Sequence, residues 1–310
     1  MIVCTDNVEF GERIAPRSMG PWTTPPPVLP GGDAFATRLF GARPWYVAST
    51  SAETRWPCLF AAESADRSQF DTLVSLSREG ADLPDGIACL AGAGRGLHGQ
   101  RGRPWAALSG NLHLSLWLTP PAHAVRSPIA ILALGAVSVV EAIDGLPGLT
   151  GRAGIKWVND ILLDGAKVCG ILTHVETRAT GIRAILGIGL NVEVVPDVPP
   201  TPFVPAVTAL RAAATDPEAC RLGRVLHRLL AALGRNDELL RADGPDRLFA
   251  RYRERSLVLG RDVALYGESG DSPPCVLAEG RVAGLGPQLE LLLDGQPRPF
   301  TTGRLILRPR

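Results

Sequence analysis

Alternating apolar and polar residues predict a β-sheet in the middle of the chain. Between residues 111 and 118 every second residue is leucine, which is typical of a strand with one buried face. Three further apolar segments follow, at 155–163, 167–176 and 183–192. Asp164-Gly165, between the first two, is a strong hairpin-turn pair. We therefore predict one strand followed by a three-stranded meander.

Apolar residues at helical spacing predict helices before and after these strands. The predicted helices cover 70–78, 129–143, 220–233 and 239–252. Gly80 ends the first of them, and Gly244 with Pro245 divides the last into parts. Short strands are predicted at 45–48 and 87–90. This succession predicts an α+β fold in which helices pack on a sheet.

The two ends of the chain differ from the middle. Beyond residue 255, short strand segments separated by turn residues follow at 256–259, 262–266, 275–277, 280–285, 289–293 and 304–307. They predict a small all-β module of SH3-like type. The proline- and glycine-rich segment 21–32 predicts an extended arm. The predicted division is an arm over 1–40, a main domain over 41–254 and a β domain over 255–310.

Composition indicates a globular protein without a dominant charge. Hydrophobic residues make up 45% of its 310 residues and the formal net charge is +1, so the total charge implies neither a nucleic-acid nor an acidic partner. The apolar run at 129–143 is too short to cross a bilayer, and no basic segment followed by an apolar core begins the chain. We therefore expect a cytoplasmic protein with no membrane partner.

Cysteine and histidine spacing gives no metal signature. The six cysteines stand singly, without a C-x-x-C pair, and the five histidines are dispersed. We expect reduced, buried thiols and no structural metal. His113, within the predicted strand 111–118, is expected to have a structural role.

The segment 91–105, called the Gly/Arg loop below, holds five glycines and the three arginines Arg95, Arg101 and Arg103. Glycine permits positive φ angles, and arginine offers a planar set of donors that suits phosphate and carboxylate oxygens. The pattern fits either a solvated surface loop or a loop that closes over an anion.

Two phosphate-binding patterns are disfavoured in this loop. Gly94 to Gly99 satisfies G-x-G-x-x-G, but a dinucleotide site requires a helix to begin there. Gly102, Pro104 and a predicted strand follow instead. A Walker A sequence, which needs Gly-Lys-Ser/Thr, does not occur. An RNA contact through the loop is left open, although no aromatic residues are interleaved.

A second group of polar residues surrounds Lys156. A lysine between Ile155 and Trp157 is either a surface residue whose stem packs on apolar neighbours or a cation held near an anionic ligand. Asn159 and Asp160 add an amide and a carboxylate near the same strand end, as a magnesium–nucleotide site requires. Their presence shifts the balance towards a ligand site.

Several segments, in this order, resemble the biotin-protein ligases. The strings KWVNDILLDGAKVCGILTHVE (156–176) and GIGLN (187–191) are similar to that family's lysine-tryptophan-proline-asparagine-aspartate, glycine-isoleucine-leucine and glycine-x-glycine-x-asparagine segments. The Gly/Arg loop and the strand 111–118 match its biotin-binding loop and succeeding strand. The tail 280–296 is similar to its C-terminal SH3-like domain. The resemblance runs from about Ser68 to the C-terminus.

The resemblance implies a fold and a two-step reaction. The fold is the class II synthetase-like biotin/lipoate ligase domain, a mixed sheet with helices, followed by the SH3-like domain. In the reaction, the biotin carboxylate attacks the α-phosphate of ATP to give biotinoyl-5'-AMP, and the acyl group passes to a lysine of a biotin carboxyl carrier protein or domain. Both steps need cations around the phosphates and a cover that excludes water. The implied ligands are biotin and ATP with Mg²⁺, the metal near Asp160.

The resemblance also implies roles for individual residues. Lys156 is expected beside the biotin carboxylate and the α-phosphate. Arg103, together with either Arg101 or Arg95, is expected to hold the adenylate phosphate. Asn191 is expected to face the nucleotide.

Further contacts with biotin or the adenylate are implied for Ser68, Gln69, Gly94, Gly96, Gly99, Gly102, Trp105, Asn111, Asn159, Asp160, Lys167, Gly170, Gly187 and Gly189. Gly170 also fits a plain packing role. Phe203 or the valines of the apolar segment 194–207 are candidates to close over adenine.

The chain departs from the family pattern at several places. Its Gly/Arg loop is longer by about three residues, and Val158 replaces the usual proline. Ser68-Gln69 and Gly92 stand where the family has a serine-threonine-asparagine segment and a glutamine before the loop. No N-terminal helix-turn-helix is visible, so we expect no DNA partner. A homodimer is compatible with the resemblance.

Two alternatives stay open at this point. One is ligation of lipoate or another acyl group on the same fold. The other is a non-catalytic module whose Gly/Arg loop binds RNA or a partner protein.

Overall fold

A nine-stranded mixed sheet forms the centre of the structure. The computed structural model describes residues 1–15, 18–24, 32–50, 54–125, 127–179, 181–267 and 275–308. The strands of the sheet are β1 (Ile2–Thr5), β2 (Tyr46–Ser49), β3 (Cys58–Ala65), β4 (Ile87–Gly94), β5 (Leu112–Leu118), β6 (Ala153–Lys156), β7 (Asp160–Leu163), β8 (Ala166–Arg178) and β9 (Gly181–Leu190). Their spatial order is β2-β1-β3-β4-β5-β9-β8-β7-β6. β3 is parallel to β1 and β4, and the other neighbouring pairs are antiparallel.

Helices cover both faces of this sheet. They are α1 (Val8–Ile14), α2 (Gly32–Phe40), α3 (Gln69–Arg78), α4 (Pro128–Asp144), α5 (Leu210–Ala213), α6 (Leu222–Asp243) and α7 (Asp246–Glu254). α1, α4, α6 and α7 share one apolar core with the sheet, and α2 and α3 share another on the opposite side. The predicted α+β fold is confirmed.

α4 is apolar along most of its length and is almost entirely buried. The hydroxyl of Ser127 accepts a hydrogen bond from the Ile129 amide, so it caps the first turn. At Gly135 a Cβ atom would lie 2.9 Å from the Leu186 side chain, so glycine lets this helix approach the sheet closely.

The C-terminal region forms a separate four-stranded antiparallel sheet, as predicted. Its strands are β10 (Asp262–Tyr266), β11 (Val276–Leu285), β12 (Leu291–Leu293) and β13 (Arg304–Leu307), in the order β12-β11-β10-β13. β11 unites two of the predicted segments. The small sheet is fastened to the large one by the indole of Trp157, whose Nε1 donates to the Leu289 carbonyl at 2.7 Å.

The prediction of an extended arm over 1–40 is wrong, because this region contains β1, α1 and α2. β1 pairs with β3 in the large sheet, and α1 lies so close to α6 that a Cβ at Gly223 would be 2.4 Å from the Arg13 carbonyl. Val3, Cys4, Phe10 and Ile14 are buried in this region, which local proline and glycine content does not reveal. Within the predicted proline-rich segment, residues 25–31 lie outside the described part of the chain. The division at 254/255 stays a prediction.

Two further elements differ from expectation. The predicted strand 155–163 is a hairpin of β6 and β7, because the chain turns at 157–159. Asn159, predicted as a ligand-site residue, lies in this turn, and its Nδ2 donates to the Ile171 carbonyl at 2.9 Å. α6 runs unbroken to Asp243, and Gly244, with φ 77°, ends it.

In the described part of the chain, no helix is long and apolar enough to cross a membrane. Five cysteines are buried, as expected, but Cys275 is exposed.

A buried charge network ties α6 to the sheet. Asp237 is completely buried and accepts from Arg55 Nε at 2.6 Å and from Arg241 Nε at 2.7 Å. Asp85, in the turn before β4, lies 2.8 Å from Arg55 and 3.0 Å from Arg241. The two arginines therefore depend on two carboxylates from different elements.

Replacing Asp237→Ala leaves Arg55 and Arg241 without their buried partner. We expect a loss of about 3–5 kcal/mol in the free energy of unfolding, measured by urea denaturation. Asp243→Ala, which removes an exposed pair with Arg247, is the control and should cost less than about 1 kcal/mol. Equal losses in the two variants would contradict a structural role for the network.

Candidate active site

A cavity of about 290 Å³ lies between the Gly/Arg loop, the first turn of α3, the large sheet and the start of β13. The predicted site residues that line it are Ser68, Gln69, Gly99, Arg103, Trp105, Lys156, Asn159, Asp160, Lys167, Gly170, Gly187, Gly189 and Asn191. The predicted residues outside its lining are Gly94, Arg95, Gly96, Arg101, Gly102 and Asn111. The fold thus brings most of the predicted residues together in one place.

The Gly/Arg loop folds back on itself. The Gly94 amide donates to the Ala107 carbonyl at 3.1 Å, and the Trp105 amide donates to the Leu97 carbonyl at 3.0 Å. A single 3₁₀ turn forms the tip, where Gly102 has φ 72°, a conformation that glycine adopts without strain. No α-helix begins between β4 and β5 in this described stretch, in agreement with the prediction against a dinucleotide site.

The three arginines of the loop take different positions. Arg103 lines the cavity, whereas Arg95 and Arg101 are exposed. Arg101 lines an adjacent cavity of about 480 Å³. Which of Arg95 and Arg101 assists Arg103 therefore stays a prediction. The loop also places His98 and Gln100 in the cavity wall, and sequence reasoning missed both.

The side chain of Asn111 bonds backbone groups after β9 and does not line the cavity. Its side-chain oxygen accepts from the amides of Val192 and Val194, and its Nδ2 donates to the Val194 carbonyl at 2.8 Å. It thereby fixes the start of the apolar segment 194–207, which covers one side of the cavity.

Lys156, at the end of β6, is the most buried cation of the cavity, with 6% of its surface exposed. Its Nζ donates to the Phe203 carbonyl at 2.6 Å. Burial lowers the pKa of Lys156 to about 8; Asp160 opposes this effect, and Lys167 and Arg304 add to it. Asp160 itself lies 2.7 Å from Lys167 Nζ. The sequence contains only these two lysines, and both line the cavity.

Arg304, from β13 of the small sheet, also lines the cavity. Its guanidinium lies 3.7 Å from the centre of the Phe203 ring, and Tyr266 meets the same ring edge-on at 5.3 Å. Sequence reasoning missed Arg304, because no motif marks it and the small sheet was predicted as a separate module.

Trp105 lies against glycines of the sheet. A Cβ at Gly189 would be 2.6 Å from the indole, and one at Gly170 would be 3.5 Å away. The indole Nε1 donates to His113 Nδ1 at 3.2 Å. Burial lowers the pKa of His113 to about 4, so the ring is neutral and can accept this bond. His113 therefore positions Trp105, which fits the predicted structural role.

Two buried side-chain oxygens of the cavity residues, Gln69 Oε1 and Asn191 Oδ1, have no hydrogen-bond donor among the described residues. The amide nitrogen of Gln69 donates to the Leu90 carbonyl at 3.4 Å, and that of Asn191 donates to the Thr208 carbonyl at 3.0 Å. A buried acceptor without a donor costs free energy. Neither oxygen is accessible in this conformation, so the amide group of each side chain has to turn before a ligand in the cavity can donate to it.

In the described ranges, no cluster of three or more His, Cys, Asp or Glu side chains could hold a metal ion.

The chain is similar in sequence to known proteins. The model of the biotin/lipoate A/B protein ligase family matches residues 67–191. A biotin--[acetyl-CoA-carboxylase] ligase of Mycobacterium tuberculosis is 33% identical over 199 residues, which are 62% of this chain and 68% of that protein. The corresponding ligase of Paracoccus denitrificans is 36% identical over 106 residues, 34% of this chain and 42% of that protein. The chain thus covers less than half of this second relative.

The fold is shared with a solved biotin protein ligase from Aquifex aeolicus, determined in complex with biotin and ATP. The TM-score is 0.63 at 21% sequence identity, covering 82% of this chain and all of that chain. The predicted resemblance is confirmed by these matches and by the similarity to the mycobacterial protein over two thirds of its length. The chain therefore belongs to the biotin-protein ligases, within the biotin/lipoate A/B protein ligase family.

Proposed function

We propose that this protein activates biotin with ATP to biotinoyl-5'-AMP and transfers the biotinoyl group to a lysine of a biotin carboxyl carrier protein or domain. The observation that carries the proposal is the buried Lys156 ammonium in the same cavity as the donor-free oxygen of Gln69. A cation suits the carboxylate of biotin, and a bare acceptor suits an N–H of its ureido ring. The Mycobacterium tuberculosis relative, named a biotin--[acetyl-CoA-carboxylase] ligase, supports the same activity.

In the first step, a carboxylate oxygen of biotin bonds to the α-phosphorus of ATP while the bond to the β-phosphate oxygen breaks and pyrophosphate leaves. Lys156 and Arg103 stabilise the negative charge that gathers on the α-phosphate oxygens. Asn191 Oδ1 accepts from the nucleotide. Asp160 is the cavity carboxylate that fits a Mg²⁺ bound to the ATP phosphates, since such an ion takes only one or two protein carboxylates. Mg²⁺ would neutralise charge on the leaving pyrophosphate.

In the second step, the amine of the acceptor lysine attacks the carbonyl carbon of biotinoyl-AMP and AMP leaves. The intermediate hydrolyses if water reaches it, so the cavity has to stay covered between the two steps. The Gly/Arg loop and the segment 194–207 line the cavity and can serve as this cover.

Removing the buried cation tests the first step. Lys156→Ala should reduce biotin-dependent ATP–pyrophosphate exchange by at least about 100-fold, because the α-phosphate loses its buried counter-charge. Arg228→Ala, an exposed cation on α6, is the control and should exchange at the unmodified rate. Full activity of the Lys156 variant would remove this lysine from the proposal.

The lowered pKa of Lys156 predicts a pH profile. The free enzyme loses the binding ammonium as pH rises through about 8, so kcat/KM for biotin should fall about tenfold per pH unit above that value. A bound carboxylate favours the ammonium, so kcat should hold to higher pH. In Lys156→Arg the guanidinium stays charged, and the decline near pH 8 should disappear even if the absolute rate is lower. A decline that is the same in both proteins would assign it to another group.

The side-chain oxygen of Gln69 provides a test that distinguishes biotin from lipoate. The ureido ring of biotin has N–H donors, whereas the dithiolane ring of lipoate has none. Calorimetry should show tight biotin binding and weak lipoate binding. Gln69→Met, which keeps the length of the side chain, should weaken biotin binding by about 1–3 kcal/mol and leave lipoate binding unchanged. Gln288→Met, at an exposed glutamine, should change neither. Tighter binding of lipoate than of biotin would favour the alternative ligase activity.

A further inference from the structure

His98 occupies an unusual position in the Gly/Arg loop. It lines the cavity, and 29% of its side chain is exposed. Its Nε2 lies 2.8 Å from Asp71 Oδ2 on α3, and its Nδ1 lies 3.0 Å from the Gly99 carbonyl oxygen. Both partners are acceptors, and a neutral imidazole has a single N–H. Only the imidazolium satisfies both contacts, and both raise the pKa of His98 above its usual value, as expected for this geometry.

Asp71 belongs to the part of α3 that forms the opposite wall of the cavity. It follows Ser68 and Gln69, and its amide donates to the Ser68 hydroxyl at 3.3 Å. Phe70, the residue before it, fills the space above Gly187 on β9, where a Cβ would lie 2.8 Å from the ring. This turn of α3 is therefore fixed to the sheet.

On the loop side, His98 is joined to the arginine that faces the cavity. His98 forms a β-bridge with Pro104, and the Gly99 amide donates to the Arg103 carbonyl at 2.7 Å. Glycines at 94, 96, 99 and 102 give the intervening backbone large conformational freedom. A side-chain contact from His98 to the sheet-bound helix restricts that freedom where Arg103 is held.

We propose that the His98–Asp71 pair is a charged clasp that holds the Gly/Arg loop closed over the cavity and so retains the acyl-adenylate until the acceptor lysine arrives. His98 acts through the position of Arg103 and the cover, since both of its ring nitrogens are engaged by the protein itself. It is a positioning residue. The identity of the retained ligand as an acyl-adenylate depends on the function proposed above, whereas the contact between His98 and Asp71 does not.

The pH range of the clasp follows from the groups around His98. Asp71 faces it from α3, and Arg103 lies in the same loop. Lys156, in the same cavity, loses its charge as pH rises through about 8. Below the raised pKa of His98 both ring N–H groups are bonded and the imidazolium pairs with Asp71; as pH rises through that pKa, the charge and one of the two hydrogen bonds are lost. Because Lys156 titrates in every variant, a ratio of variant to unmodified protein at one pH isolates the effect of His98.

The first test measures release of biotinoyl-AMP by the change in tryptophan fluorescence expected from Trp105 and Trp157, which both line the cavity. At pH 6, Asp71→Asn and His98→Gln should each release it about two- to fivefold faster than the unmodified protein, as expected for a half-exposed ion pair. At pH 9 these ratios should be smaller, because His98 has lost its charge and one of its two donors. The double variant should be no faster than either single variant. Asp66→Asn, at an exposed carboxylate near the same helix, is the matched control.

A second measurement keeps the clasp testable without any ligand. Amide hydrogen exchange of residues 94–105, compared between proteins at pH 6, should be faster in Asp71→Asn and unchanged in Asp66→Asn. Released biotinoyl-AMP can also be measured as biotin attached to the lysines of an added protein. This chain offers no lysine outside the cavity, because its two lysines both line it. If biotinoyl-AMP does not bind at all, the proposed function fails while the exchange experiment still reports on the clasp. Ratios near one at pH 6 in both experiments, or equal ratios at pH 6 and pH 9, would overturn it.

Discussion

The buried ammonium of Lys156 is the constraint on which the rest of the site depends. A charge taken out of water costs several kcal/mol unless the protein replaces its solvation. Here the replacement is partial, because the direct partner is the neutral carbonyl of Phe203 and the carboxylate of Asp160 is paired with Lys167. The pKa of about 8 reflects this deficit. A cavity with an under-compensated cation favours an anion.

The C-terminal sheet contributes to the same electrostatics. Arg304 stacks on the ring of Phe203, and the carbonyl of that residue is the partner of Lys156. The small sheet therefore acts on the buried lysine through one residue of the apolar segment 194–207. The ammonium keeps two further N–H groups, so an anion that binds Lys156 shares this cation with the Phe203 carbonyl and lies next to the segment 194–207. The indole of Trp157 adds a second link between the sheets, one residue from the lysine.

Much of the site could be predicted from sequence because its parts lie within short segments. The hairpin signal at Asp164-Gly165, the alternating leucines of β5 and the strings around Lys156 and Asn191 all report local structure. What could not be predicted depends on pairing between distant segments. β1, at the start of the chain, pairs with β3, which begins at Cys58. Arg304 reaches the cavity from the other sheet. The donor-free oxygens of Gln69 and Asn191 are likewise properties of packing, since any glutamine or asparagine looks alike in a sequence.

The two glycines of the GIGLN segment, Gly187 and Gly189, lie within the regular strand β9, in agreement with the strand predicted over 183–192. A side chain at Gly187 would collide with Phe70, and one at Gly189 would collide with Trp105. Each aromatic ring anchors a different wall of the cavity, α3 in one case and the end of the Gly/Arg loop in the other. The glycines are therefore needed for the space they leave rather than for backbone freedom. A larger residue at Gly189 would displace Trp105, break its bond to His113 and move the loop, so the sheet itself determines how closely the cover can sit.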